Sequence, residues 1–441
     1  MLSYIEFYAR PMKIQNGLME VPLPKARLGE ICLIQEDEKH HTAWRRGQVI
    51  GFRPGCTLIS LFDDGRGLST RSRVYPTGRS LHVEVGEHTL GGIYDGIGEL
   101  RSRIAPERNV AQTHFVSEWR AIDAAVPDPL ARQVIEQPFY CGVRAIDGLI
   151  TCCKGQRVGI FSAAGAGKST LLQALLQSDC ADVIVIALIG ERGREVQDFV
   201  REGLSPLQRQ KTVMVFATSD APPVERKNAA LIAMTIAEYF RDAGCEVQLL
   251  MDSVTRYVRA LREIGFAAGE SVAVSGLPAS VFAELPRLLE RAGAGAGANG
   301  GVITGFFTVL LESQKGHDAV GEEVRSILDG HIYLSTSLAA ASHYPAIDVL
   351  HSLSRLFTRV STPTQQQMAS ILRRALQRLD EVQLLLELGE YQQGNDLFTD
   401  KVIEHKASLM AFLQQNPDEY EEPEKTLEKM FYVATAISET G

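Results

Sequence analysis

The residues with the clearest chemistry are Ser162-Ala163-Ala164-Gly165-Ala166-Gly167-Lys168-Ser169-Thr170. They lie between an apolar run at 157–161 and an amphipathic segment at 168–177, so a strand feeds a tight turn that opens into a helix. Small residues in such a turn let successive backbone N–H groups close around phosphate oxygens, with the helix N-terminus behind them. In this Walker A context Lys168 neutralises charge on the β- and γ-phosphates and the Ser169 hydroxyl ligates magnesium. Ser162 replaces the usual first glycine, at the loop's opening, where serine adopts many turn conformations. The pattern implies a nucleoside triphosphate site.

Two strand-terminal acids complete the chemistry. The apolar run 247–251 ends in Asp252, the Walker B arrangement, whose carboxylate holds the magnesium hydration shell. A strand-terminal Asp also serves as a helix cap, but the upstream phosphate loop favours the magnesium role. The run 183–189 leads into Gly190-Glu191-Arg192-Gly193-Arg194-Glu195. A carboxylate at the C-terminal end of a neighbouring parallel strand points into the phosphate crevice, making Glu191 the candidate for polarising an attacking water. Pattern alone does not separate this from a surface ion-pair cluster of Glu191, Arg192, Arg194 and Glu195.

Elements that position these groups follow from periodicity. Short runs at 20–23, 30–34, 46–52 and 56–61, separated by Gly, Pro and Asp, read as a small β-barrel, with a boundary at Pro76-Thr77-Gly78. A Gly-rich connection at 83–100 ends in the turn Tyr94-Asp95-Gly96-Ile97-Gly98. Strands at 157–161, 183–189, 212–217, 247–251 and 302–311 alternate with helices at 168–177 and 228–241, which argues for a parallel sheet with helices on both faces. The Gly/Ala stretch 293–301 reads as a flexible loop. Beyond Thr362-Pro363 the chain turns helical, at 367–388, 400–413 and 422–438.

Composition narrows the class. Of 441 residues 45% are hydrophobic and 22% charged, which sets disordered, collagen-like and coiled-coil architectures aside. The net charge of -9 gives no global drive towards nucleic acid or anionic lipid. The seven scattered cysteines fit reduced, mostly buried thiols of a cytosolic protein. The longest apolar run, 183–189, is too short to cross a bilayer, and residues 1–10 lack a signal-peptide core.

Longer motifs carry a resemblance. Gly190-Glu191-Arg192-Gly193-Arg194-Glu195-Val196, Ala237-Glu238-Tyr239-Phe240-Arg241-Asp242, Asp252-Ser253-Val254-Thr255-Arg256-Tyr257 and Val324-Arg325-Ser326-Ile327-Leu328-Asp329-Gly330-His331 resemble the ATPases of the rotary ATP synthase superfamily. Val143-Arg144-Ala145-Ile146-Asp147-Gly148-Leu149 and His343-Tyr344-Pro345-Ala346-Ile347-Asp348 are similar, within it, to the ATPase of bacterial type III protein secretion systems. The resemblance covers about residues 18–435.

It implies an α/β chain with an N-terminal small β-barrel for oligomerisation (1–78), a central P-loop (RecA-like) parallel-sheet core (79–345) and a C-terminal helical domain facing stalk and chaperones (346–441). Implied catalytic residues are Glu191, Lys168, Arg192 and Arg355, the last as an arginine finger acting in trans, with Arg359 as a second choice. Nucleotide binding falls to Ser162, Ala163, Ala164, Gly165, Ala166, Gly167, Lys168, Ser169, Thr170, Arg256 and the adenine-stacking Tyr344. Ser169, Asp252 and Glu195 face Mg2+, and the cofactors are ATP and Mg2+.

The implied assembly is a homohexamer at the cytosolic face of the inner membrane. Its partners would be a central stalk protein, a stator or regulator of the export apparatus, effector–chaperone complexes and the inner-membrane export gate. The segment 367–391 would move with nucleotide state. Gly276-Leu277-Pro278 in place of an aromatic-Pro-Pro segment, and the Gly/Ala repeat 292–301, depart from the family near its central channel. A flagellar export ATPase shares every motif. A hexameric nucleic-acid motor is opposed by the acidic charge and by a barrel without evident pairing of aromatic and basic residues, so nucleic acid is not an expected partner. A non-catalytic subunit is opposed by Glu191.

Overall fold

The computed structural model describes residues 7–36, 44–106, 116–297, 300–311 and 318–438, and for Glu202 the backbone alone. Residues 1–6 of the N-terminal stretch, and Ala298 and Asn299 of the Gly/Ala stretch, lie outside the described residues. The chain divides into two compact units, Met1–Asp128 with Val183–Ala243 and Met251–Arg291, and Pro129–Asp182 with Gly244–Leu250 and Ala292–Gly441.

The first unit opens with the barrel. Its strands run in the order Lys13–Gln15, Leu18–Val21, Cys56–Leu61, Trp44–Arg53, Glu30–Gln35, Arg73–Ser80, every neighbouring pair antiparallel. Asn16 and Gly17, with φ of 51° and 72°, make the tight hairpin between the first two. Alternation along the strands places Met19, Val21, Cys32, Ile34, Val49, Ile59 and Val74 in one core. The strand Arg73–Ser80 runs straight through Pro76-Thr77-Gly78, the expected boundary. Proline is tolerated there because this strand ends the sheet order, and its missing N–H breaks no ladder on the open side. The barrel also carries an aromatic-basic pairing that the strand patterns did not reveal. Tyr75 packs between Tyr8 and Trp44, at 5.6 and 5.5 Å, and the Arg73 guanidinium lies 5.0 Å from the Tyr8 ring centroid.

The same unit contains the strands Val183–Glu191, Thr212–Thr218, Gly92–Tyr94 and Leu100–Arg103 in that order, parallel except for the last. Every residue of Val183–Glu191 is buried, as the continuous apolar run of a parallel strand requires. The helix Pro223–Asp242 starts earlier than the expected 228, because Pro223 occupies its first turn, where a missing N–H costs nothing. At the preceding turn the Asp95 carboxylate accepts from the N–H groups of Ile97 and Glu99.

In the second unit Arg157–Ser162 lies between Val302–Leu310 and Gly330–Leu334, parallel to both, and Ile347–Ser354 closes the edge antiparallel. The Gly/Ala stretch is not a free loop. Gly293–Ala294 pairs antiparallel with the start of Val302–Leu310, Gly295 N donates to Gly301 O, and Arg132 and Gln133 bond to Ala292 O and along the turn. Its glycines answer to space rather than to mobility, since a Cβ at Gly301 would overlap the Cys245 carbonyl.

The helices Pro363–Leu388, Leu397–Glu404, Lys406–Leu413 and Pro423–Ser438 follow. The expected single helix at 400–413 is two, parted at His405, whose ψ of 11° leaves the helical range. Among the described residues no helix is long and apolar enough to cross a membrane, and all seven cysteines are free thiols.

Candidate nucleotide site

The phosphate loop belongs to the second unit. Ser162 is the last residue of its strand and fully buried, its carbonyl accepting from Leu311 N at 2.9 Å, so its side chain lies beneath the loop rather than in its mouth. Gly165 and Gly167 turn the chain at φ of 78° and 84°, the left-handed region that a Cβ disfavours. The helix Lys168–Leu176 then starts at Gly167 without any side-chain cap. Its first N–H groups therefore face outwards with the positive end of the helix dipole, which suits phosphate oxygens. Ser169 is exposed while Lys168 and Thr170 are half-buried.

Tyr344 stands against this loop. A Cβ at Gly167 would come 3.0 Å from Tyr344 Cε1, so the ring packs edge-on over the turn. The neighbouring His343 imidazole is pushed below its usual value by burial, which keeps it neutral at pH 7. The Tyr344 carbonyl accepts from Gln415 N at 2.8 Å, and Val143, Thr170, Pro345, Gln415, Asn416 and Pro417 line a small hollow beside the helix start.

Sequence reasoning missed this C-terminal contribution. Gln415-Asn416-Pro417 reads only as a turn, and nothing local ties it to a loop some 250 positions earlier. The tie is Arg144. Its side chain donates to Phe412 O at 2.9 Å, to Glu419 Oε1 at 2.6 Å and to Glu421 Oε2 at 3.1 Å, while its backbone N donates to Gln415 Oε1. Burial alone would raise Glu421, but Lys429 and Arg144 hold it below the usual range, so the buried guanidinium is matched by charge.

Arg355 is in the same unit, just past the edge strand Ile347–Ser354, and exposed. Its backbone N donates to Asp329 O at 3.0 Å. His331 is lowered by burial and then by the cations Arg325 and Arg355. A rigid strand end thus presents a cation outwards, as an arginine serving another subunit would require. Arg359 is likewise exposed, on the short helix Phe357–Val360.

Glu191 belongs to the first unit. The ladder with Thr212–Thr218 slips at this point, so that Ile189 faces Ala217 while Glu191 faces Thr218. Gly190, at φ of 67°, absorbs the extra residue. Such a bulge re-aims the side chain after it, here a carboxylate that is only 4% exposed. Arg256 Nη2 lies 3.9 Å from Glu191 Oε2. It sits on the helix Val254–Ala268, capped by the Ser253 hydroxyl that accepts from Arg256 N. Asp252, buried, is the residue before that cap. The surface-cluster reading therefore holds for Arg192, Arg194 and Glu195, all exposed at the start of the helix Gly193–Glu202, with Arg194 paired to Asp198 at 3.5 Å; it fails for Glu191.

Comparison with known proteins agrees with this geometry. The sequence profile of the ATP synthase alpha/beta family nucleotide-binding domain matches residues 142–354, that of its beta-barrel domain residues 18–78, and that of the T3SS EscN ATPase C-terminal domain residues 361–431. The SPI-1 type 3 secretion system ATPase of Salmonella typhi is 47% identical over 97% of this chain and 97% of its own. A flagellum-specific ATP synthase of Bacillus subtilis is 38% identical over 93% of this chain and 92% of its own. The assembled ATPase EscN of enteropathogenic E. coli superposes with a TM-score of 0.87 at 42% identity, covering 97% of this chain and 100% of that one. EscN in complex with its central stalk EscO gives 0.84 at the same identity and coverage. With barrel, phosphate loop and helical end all matched in order, the chain belongs to the type 3 secretion system ATPases, ATP-hydrolysing enzymes of the ATP synthase alpha/beta family.

Proposed function

We propose that this chain hydrolyses ATP to power type III protein secretion, as one subunit of a homohexameric ring at the cytosolic face of the inner membrane. There it releases chaperones from effector proteins and helps unfold them for export. The observation that carries this reading is the bulge at Gly190, which aims a buried Glu191 at Arg256, in a chain whose phosphate loop packs against Tyr344.

The roles follow from chemistry. Lys168 and the loop 162–170 hold the phosphates, and Tyr344 stacks on adenine. Glu191 orients the attacking water and draws off its proton, while Arg192 and Arg256 face the γ-phosphate. Arg355 of one subunit stabilises charge developing in its neighbour's site. Ser169 and Asp252 offer hard oxygen donors that fit Mg2+, with Glu195 near its water shell. Among the described residues no group of three or more His, Cys, Asp or Glu is placed to hold a metal, which suits an ion held chiefly by phosphates and water. Bound Mg2+ would neutralise phosphate charge.

We assign residues 1–78 to ring formation, 79–345 to the nucleotide core, whose edge strand continues to Ser354, and 346–441 to the moving helical domain. Its partners are a central stalk protein, as EscO is to EscN, a stator or regulator, effector–chaperone complexes and the export gate. ATPase rate against protein concentration tests the assembly. Shared sites predict specific activity that climbs steeply with concentration; a flat rate, unchanged in Arg355→Ala, contradicts them.

A further inference from the structure

A second cavity, of about 360 Å³, lies wholly within the first unit, between the barrel and the helices Pro223–Asp242, Val254–Ala268 and Ala279–Leu289. None of the nucleotide-site residues lines it. Its size falls at the lower end of small-molecule sites. Val49, Leu231, Leu261 and Ile264 make apolar walls.

Two polar groups on the walls are unmet. Tyr257 is fully buried, and its hydroxyl has no hydrogen-bond partner among the described residues. Burial first, and then Glu284, hold that phenol well above its usual value, so it is a neutral donor; Glu284 and Arg291, the charges it senses, line the same cavity. Asn228 is also fully buried. Its orientation is fixed by a chain of amides: Gln48 Nε2 donates to Gly29 O at 3.1 Å, so Gln48 Oε1 accepts from Asn228 Nδ2 at 2.9 Å. Asn228 Oδ1 is left as an acceptor without a partner among the described residues. A buried donor and a buried acceptor left unmet each cost on the order of 1–3 kcal/mol, which a matching ligand recovers.

Charge does not select the occupant. Arg291 is neutralised by Glu238, with two contacts of 2.9 and 2.6 Å, and its other donors go to Ile122 O and Thr235 Oγ1. At the mouth Arg287 pairs with Glu284 at 2.9 Å, leaving Lys227 beside Asp123 and Glu270.

We propose that this cavity is a binding site for a small, planar, uncharged molecule carrying an acceptor next to a donor, as a primary aromatic amide does. The acceptor takes the Tyr257 hydroxyl and the donor meets Asn228 Oδ1, with the ring against the aliphatic walls.

Ligand-observed NMR titration of the full chain with benzamide tests this, with benzoate as the charged control. The expected result is saturable benzamide binding, weakened about fivefold in Tyr257→Phe, abolished in Ile264→Trp, and at least about tenfold weaker for benzoate. Tyr257→Phe removes an unbonded hydroxyl and should keep the parent's melting temperature and ATP turnover. No saturable benzamide binding, affinity unchanged in Tyr257→Phe, or benzoate binding as tightly as benzamide would each overturn the proposal.

Discussion

The backbone of Gly190 runs directly under the Arg256 side chain, so that a Cβ at Gly190 would lie 3.1 Å from Arg256 Cβ and 3.4 Å from its Cγ and Cδ. The φ of 67° and this close approach demand glycine together, and both serve the bulge that aims Glu191. Gly190→Ala should therefore cost about 1–2 kcal/mol in backbone strain and push Arg256 off the carboxylate. We expect turnover to fall at least about tenfold while nucleotide affinity stays near the parent's, read by steady-state kinetics and a fluorescent-nucleotide titration. Equal loss of affinity would locate the damage elsewhere.

Tyr344 should account for much of the base affinity. Stacking contributes about 1–3 kcal/mol per base, so Tyr344→Ala should weaken nucleotide binding about tenfold, and Tyr344→Phe should leave it unchanged. A nucleotide titration of both variants checks this.

Gln415 joins the loop beneath Tyr344 to the C-terminal helices through its backbone bond to Tyr344 O and its side-chain bonds to Arg144 N and Glu419 O. Gln415→Ala leaves the buried Arg144 N–H unmet, at about 1–3 kcal/mol. Chemical denaturation should show that loss, together with weaker nucleotide binding.

Stability should also respond to pH through Glu225, at the start of Pro223–Asp242. Burial first, and the Asp95 carboxylate second, raise its pKa to about 7. A carboxyl so raised holds its proton in the folded chain, so its contribution is complete below the ordinary value of about 4.3 and is lost as pH rises through about 7. The melting temperature should fall between pH 5 and 8 in the parent, and less steeply in Glu225→Gln. Identical slopes would remove Glu225 from this account.

Much of this architecture was legible because it is local. The phosphate loop announces itself by glycines and a lysine between a strand and a helix, and the strand ends at Glu191 and Asp252 by apolar runs that stop in an acid. What stayed hidden depends on distant contacts. Periodicity says nothing of Gln415 reaching Tyr344, nor of Tyr8 and Trp44 meeting on either side of Tyr75. The Gly/Ala stretch misled for a physical reason, since glycine composition signals freedom in isolation but marks close approach when a carbonyl such as that of Cys245 lies where a side chain would stand. The fate of Glu191 turned on a one-residue slip in the ladder, which composition does not encode.

Arg355, exposed at a strand end, should act on a neighbouring subunit. Arg355→Ala should retain nucleotide affinity and ring formation yet hydrolyse poorly. Mixing it with Glu191→Gln subunits should restore part of the activity, because some interfaces then pair an intact glutamate with an intact arginine. Strictly additive residual rates from the mixture would speak against action in trans.

The account centres on Glu191 as the carboxylate that activates water. Its most direct test is Glu191→Gln, measured for ATP binding and for turnover in the same preparation, with Lys168→Ala alongside. We predict that Glu191→Gln binds ATP as the parent does but hydrolyses it about 10²–10⁴-fold more slowly, whereas Lys168→Ala loses both. Turnover by Glu191→Gln at the parent's rate would contradict the central claim.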